Sequence, residues 1–347
     1  MKILIIRTDR LGDLILSTPV FRAVREGYPD SHIAAMVRPY TKECVEGNPY
    51  INEVIVYDKY GTGKSFLGTF SFAMNLRKKR FDTAIILHPT NRAHMIAFLA
   101  GIPKRVGFNR RLGFLLTHKV AHKKEFGDRH EIDHTLDIVR AIGLAPRSRA
   151  LYMPVKRDVQ RKVDSTLSGL GVEAGDVVVA IHPSSSCPSK KWPAERFANI
   201  ADRLIGERNV KIVILSGRDG MVDAEKAKVA MKRKAIDLSG KTTIQELAAV
   251  LKRCSLFISN DSGPVHVACA VGTPVIAIFG RKNAGLGPKR WGPTGARDRV
   301  LHKDAGCGEC SAHNCVKGFL CIAAVTEDEV MAETEKILNA KKVNMTI

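Results

Sequence analysis

No apolar run in this chain reaches the roughly 18 residues that a bilayer-spanning helix requires, which excludes a helical membrane protein. A secretory leader is missing as well: after the apolar start, Arg7 and Asp9 stand where a signal's apolar core should continue. The expectation is a cytoplasmic protein. Aromatic residues are scarce at 6%, and neither a helix-turn-helix nor a single-strand stacking pattern is present, which counts against nucleic acid as a partner. The Gly-x4-Gly-Lys-Ser/Thr phosphate loop and the Gly-rich dinucleotide fingerprint are absent, so a nucleotide site must be built by other means. No strict internal repeat occurs.

What is present is length, charge and alternation. With 347 residues the chain suits two domains of about 150–200 residues each. The net charge of +20 is unevenly placed: residues 64–129 hold 14 Lys or Arg against three acids, while residues 1–63 and 130–180 are each balanced. Such a segment is either a solvated surface or the face that meets a partner rich in phosphate or carboxylate, such as membrane lipid or an acidic glycan.

Lys2–Ile6 reads as a buried strand and is followed by a loop and a helix from about Leu14 to Glu26. Strands follow at His32–Val37, Val54–Tyr57 and Thr83–Leu87, with helical stretches between them. Pro146 to Lys162 interrupts the alternation. It restarts with a strand at Asp176–His182, a helix at Ala194–Glu207, a strand at Lys211–Leu215, and helices around Asp223–Lys232 and Thr243–Lys252; a tail helix runs over Thr326–Leu338. The fold expected is α/β, two Rossmann-like domains facing across a cleft, residues 1–160 and 161–347, with ligands beyond the carboxyl ends of the strands.

The most informative stretch is Leu256–Gly280: a strand, the turn Asn260-Asp261-Ser262-Gly263, a helix opening at Pro264, and the strand Val275–Phe279. Asp and Ser can cap the free N–H groups of a helix start, Pro suits its first position, and such an end attracts phosphate. His266 falls on the first turn. A second loop, Ser184-Ser185-Ser186 with Lys190-Lys191-Trp192-Pro193, offers hydroxyls and an ammonium that would fit a diphosphate. Asp13, after Gly12 at a strand's carboxyl end, is either an acid placed near a helix start or a general base for an acceptor hydroxyl.

Taken together, Arg7-x-Asp9-x-x-Gly12-Asp13, Ser185-Ser186-x3-Lys190-x-Trp192-Pro193 and Asn260-Asp261-Ser262-Gly263-x2-His266 resemble the motifs of glycosyltransferase family 9, the ADP-heptose:lipopolysaccharide heptosyltransferases. The likeness extends to Phe81-Asp82, Leu238–Thr242 and Trp291-Gly292-Pro293. It implies a GT-B fold and an inverting, metal-independent transfer of heptose from ADP-heptose to the inner core of lipopolysaccharide, with no cofactor required, at the inner membrane face. On the family pattern Asp13 is the catalytic base. Ser185, Ser186, Lys190, Asp261, Ser262, Gly263 and His266 hold the donor, and Asp219 or Asp223 takes the ribose. The acceptor would meet the basic segment, with Lys64, Arg92, Arg110 and Arg111 as candidates.

Cys307, Cys310, Cys315 and Cys321 crowd one stretch, with His313 among them. In a cytoplasmic protein structural disulfides are not expected, which leaves reduced thiols or a structural zinc or iron site. Two rival readings of the whole remain: a GT-B enzyme with another nucleotide sugar or a protein acceptor, and a non-catalytic nucleotide-sugar or glycolipid-binding protein.

Overall fold

Four consecutive buried residues, Ile3 to Ile6, are what a strand covered on both faces presents, and Lys2–Ile6 (β1) is such a strand. The computed structural model describes residues 1–307, 310 and 312–343; the chain divides into two units, Met1–Pro154 and Val155–Ile347. The division falls a few residues before the expected 160/161, so the helix Arg157–Gly169 lies wholly in the second unit.

The first unit contains β1, His32–Val37 (β2), Glu53–Val56 (β3), Thr83–Ile86 (β4), Lys104–Phe108 (β5) and His118–Val120 (β6). They form one parallel sheet in the order β3-β2-β1-β4-β5-β6, in which Ile6 lies between Met36 and Ile86. The second unit contains Val178–His182 (β7), Lys211–Ile214 (β8), Ile236–Asp237 (β9), Leu256–Asn260 (β10), Val275–Phe279 (β11) and Arg299–His302 (β12). Its sheet, also parallel, runs β12-β11-β10-β7-β8-β9. Counted within its own unit, each sheet has the doubly wound order 3-2-1-4-5-6. Each therefore has one switch point, between β1 and β4 and between β7 and β10, where consecutive connections leave in opposite directions and a crevice opens.

Each unit has its own apolar core: Leu4, Ile6, Met36, Ile86 and Ile96 in the first, Ile181, Trp192, Phe197, Ile258 and Ile278 in the second.

The helix expected over Leu14–Glu26 is two helices, Leu11–Ile15 and Thr18–Gly27. Pro19 lacks an N–H and starts a new helix, and the hydroxyls of Ser17 and Thr18 donate to the carbonyls of Asp13 and Ile15, which ends the first. The strand expected from Asp176 begins at Val178 because the Asp176 carboxylate closes a turn on the Glu173 N–H. Strands β5, β6, β9 and β12 had no apolar alternation to announce them.

Candidate active site

At the first switch point the Arg7 guanidinium, buried, holds the ends of β1 and β4 together by donating to the Leu87 carbonyl at 3.1 Å. Three carboxylates surround it: Asp9 at 2.8 Å from Nε, Asp13 at 2.8 Å and Glu131 at 3.2 Å from Nη2. The buried ammonium of Lys124 closes the group on Glu131 at 2.5 Å. Burial opposes the charge on Arg7, but these three acids more than offset it and hold its pKa above the ordinary value. The same burial pushes the Asp9 carboxyl up to about 7, against the pull of Arg7. His88, 3.5 Å from Asp9, is pushed down to about 4 by burial and by Arg7. Asp13 lies in the first turn of the helix Leu11–Ile15. Its side chain is 18% exposed, against 12% for Asp9 and 1% for Glu131, so it is the most accessible acid of the three.

Of the basic candidates, Arg92 braces a loop by donating to the carbonyls of Lys59 and Lys64 at 2.7 and 2.6 Å. It lines a small pocket with Thr8, Tyr57 and Arg111. Arg111 adopts a left-handed backbone at φ 58°. Lys64 and Arg110 are exposed and do not line that pocket.

At the second switch point Asn260 performs the tying role. Its side chain donates to the Pro183 carbonyl at 2.7 Å and accepts from the Trp192 N–H at 2.9 Å, which draws the loop after β7 against the end of β10. Asp261, next along, is buried; its Oδ2 accepts from Lys190 at 2.8 Å and from Arg281 at 2.9 Å. Ser185 donates to the Asp261 carbonyl at 3.1 Å, while Ser186 is exposed. Ser262 precedes the helix Gly263–Val271 but does not cap it. Its hydroxyl instead meets that of Ser259 at 3.0 Å, and the Asp261 carboxylate is engaged by the two cations. The capping expected of Asp and Ser is thus not made, and the first-turn N–H groups keep their pull on an anion. His266 is buried on that turn.

Lys191 pairs with Asp223 at 2.7 Å, so neighbouring lysines serve different acids. Asp219 is exposed in the turn after β8. His182, buried between Ser184 and Ser259, is pushed down to about 4 by desolvation and is neutral. Arg281 was not foreseen. It is buried, follows β11, and takes a left-handed backbone at φ 59°. The only signal was its place just beyond a strand's carboxyl end. Glu131 and Lys124 were also missed.

Cys307, Cys310, Cys315 and Cys321 line one pocket, which also includes Arg281 and Ser189. All four are free thiols. As a donor set they suit a soft metal such as zinc or iron. Among the described residues, however, no three Cys, His, Asp or Glu side chains come together in a metal-holding arrangement. The thiols surround a space and do not converge within it.

The family model for glycosyltransferase family 9 (heptosyltransferase) matches residues 69–320. Lipopolysaccharide heptosyltransferase 3 of Escherichia coli K12 is 26% identical over 343 residues, covering 94% of this chain and 95% of that protein. A family 9 glycosyl transferase from Veillonella parvula superposes with a TM-score of 0.87 at 28% identity, covering 98% and 97% of the two chains. The ADP-heptose lipopolysaccharide heptosyltransferase II of Escherichia coli gives 0.80 at 21% identity over 99% and 100%. Two parallel six-stranded sheets with flanking helices are the GT-B architecture of these structures.

Proposed function

Because this chain belongs to glycosyltransferase family 9 (heptosyltransferase), we propose that it transfers heptose from ADP-heptose to the inner core of lipopolysaccharide with inversion at the anomeric carbon. The observation that carries the reading is Asp261, which holds the ammonium of Lys190 and the guanidinium of Arg281 side by side at the start of the helix Gly263–Val271. Two cations and a helix N-terminus are what a departing diphosphate needs as it gains charge. Ser185, Ser186, Ser262, Gly263 and His266 complete the donor site, and Asp219, exposed beyond β8, suits the ribose better than Asp223, which Lys191 engages.

In the first unit Asp13 is the base. An inverting displacement needs one carboxylate to take the proton of the acceptor hydroxyl, and Asp13 is the most accessible of the three acids held by Arg7. Glu131, which shares Nη2 of Arg7 with Asp13 and is itself held by Lys124, fixes that guanidinium and through it the Asp13 carboxylate. Arg92 and Arg111, beside Thr8, supply positive charge for acidic groups of the acceptor, with Lys64 and Arg110 on the surface nearby in sequence.

We assign the leaving-group charge to Lys190, Arg281 and the helix start, and so expect turnover to persist after treatment with a metal chelator. A requirement for added Mg2+ would refute that assignment. The proposed mechanism draws on no thiol of the cysteine pocket. Elemental analysis of the purified protein tests a structural role there: one zinc or iron per chain establishes it, and a metal-free protein of full stability removes it.

The test of the reaction is an assay with ADP-heptose, and in parallel with UDP- and GDP-sugars, on a set of lipopolysaccharides truncated before each successive core heptose. Mass analysis of the product should show one added heptose from the ADP donor alone. Turnover only with another nucleotide sugar would move the protein to a different donor, and tight ADP binding with no turnover would make it a binding protein.

A further inference from the structure

The helix Phe66–Arg77 is apolar on both sides, a pattern that ordinarily marks a helix buried all round. Here only one side is buried. Thr69, Ala73 and Leu76 face the core, and the Phe72 ring packs tilted against Tyr57 with centroids 4.8 Å apart. The opposite stripe carries Phe66, Leu67 and Phe70, exposed by 66%, 76% and 42%. The stripe does not belong to a loose segment. Ser65 caps the helix by accepting from the Gly68 N–H at 3.0 Å, and Thr69 meets the Tyr57 hydroxyl at 3.0 Å.

The helix packs beside Asn91–Leu99, which in turn packs beside the turn Gly113–Leu115. These neighbours add two more exposed rings, Phe98 and Phe114. At the helix end stand four basic residues in succession, Arg77, Lys78, Lys79 and Arg80, all exposed. Lys79 pairs with Glu53. Among the described residues Arg77, Lys78 and Arg80 form no ion pair with a carboxylate.

From this we infer that the outer face of the helix Phe66–Arg77 docks on an anionic bilayer surface, its aromatic stripe entering the headgroup boundary and Arg77, Lys78 and Arg80 meeting lipid phosphates. Charge selects this occupant. The centre of a protein–protein interface is depleted of charge, whereas aromatic rings flanked by Lys and Arg are the composition of an interfacial membrane helix. A docked first unit would also receive an acceptor anchored in that bilayer. The inference deepens the proposed reaction by naming the surface on which it takes place, but its observations do not depend on the donor chemistry.

The test is co-sedimentation of the full-length protein with vesicles of phosphatidylcholine alone and of phosphatidylcholine with phosphatidylglycerol. Binding is expected to the anionic vesicles only and to fall with added salt. Phe66→Ser/Phe70→Ser and, separately, Lys78→Ala/Arg80→Ala should each weaken it about tenfold or more, the second pair also flattening the salt dependence. ADP affinity and transfer to a lipid-free core oligosaccharide should stay at the wild-type level in both, which shows that the fold is intact and keeps a failure of docking distinct from a failure of the reaction. Equal binding by wild type and variants, or no binding to anionic vesicles, overturns the inference. So does a concentration-dependent dimer that Phe66→Ser/Phe70→Ser abolishes in a protein that ignores vesicles.

Discussion

At the scale of the residue, the proposed reaction divides its labour between the two switch points. Asp13→Ala removes the proposed base and leaves the donor residues untouched, so transfer should fall to background while ADP affinity, measured by calorimetry, stays near wild type. Turnover close to wild type would end that assignment. Arg281→Ala removes one of the two cations on Asp261 and should lower kcat about 100-fold to 1000-fold, as loss of one donor to developing charge does. His182 sets a pH limit on the fold. Its pKa falls from 6.5 to about 4 through burial. The unfolded chain therefore binds a proton that the folded protein refuses, and stability present above pH 6.5 is lost as the pH falls toward 4, by about 3 kcal/mol at most. Denaturant titrations across this range should show the loss, and His182→Asn should remove the share that His182 contributes, leaving that of His88.

At the scale of the element, most of the second site was legible because its signals are local. An apolar run gives β10, the next four residues give the turn, and Pro264 gives the helix. Asp13 and Lys190 were found the same way, each just past a strand or before a helix. Arg281, Glu131 and Lys124 were not, because their meaning lies in tertiary contacts: Arg7 meets Glu131 at a separation of 124 residues, Lys124 reaches Arg7 through Glu131, and Arg281 meets Asp261 across two strand ends. The edge strand His118–Val120 escaped because two of its three residues are polar and exposed. One close approach was also invisible. A Cβ on Gly280 would lie 2.5 Å from the Ser189 carbonyl oxygen, so β11 can end beside the turn Pro188–Lys190 only with glycine there. Gly280→Ala should push that turn outward, displace Lys190 and raise the Kd for ADP several-fold, with thermal stability reduced by about 1–3 kcal/mol.

At the scale of the molecule, two separate cores and two similar sheets mean that ligand binding should be felt unevenly. ADP is expected to slow hydrogen exchange in the loop after β7, the start of the helix Gly263–Val271 and the strands beneath them, leaving the sheet of Met1–Pro154 unchanged. Uniform protection of both units would contradict a donor site confined to the second. Both proposed sites hang from the carboxyl ends of strands, Arg7 and Asp13 beyond β1, Lys190 beyond β7, Asp261 beyond β10 and Arg281 beyond β11. The turns that enter the strands from the other rim, such as Gly171–Asp176 ahead of β7 and Asn209 ahead of β8, carry no part of either site. That rim is the place for engineering: a fluorophore, an affinity tag or an inserted peptide at those turns should leave the proposed sites intact, so that this chain can be labelled or immobilised there for the assays of transfer.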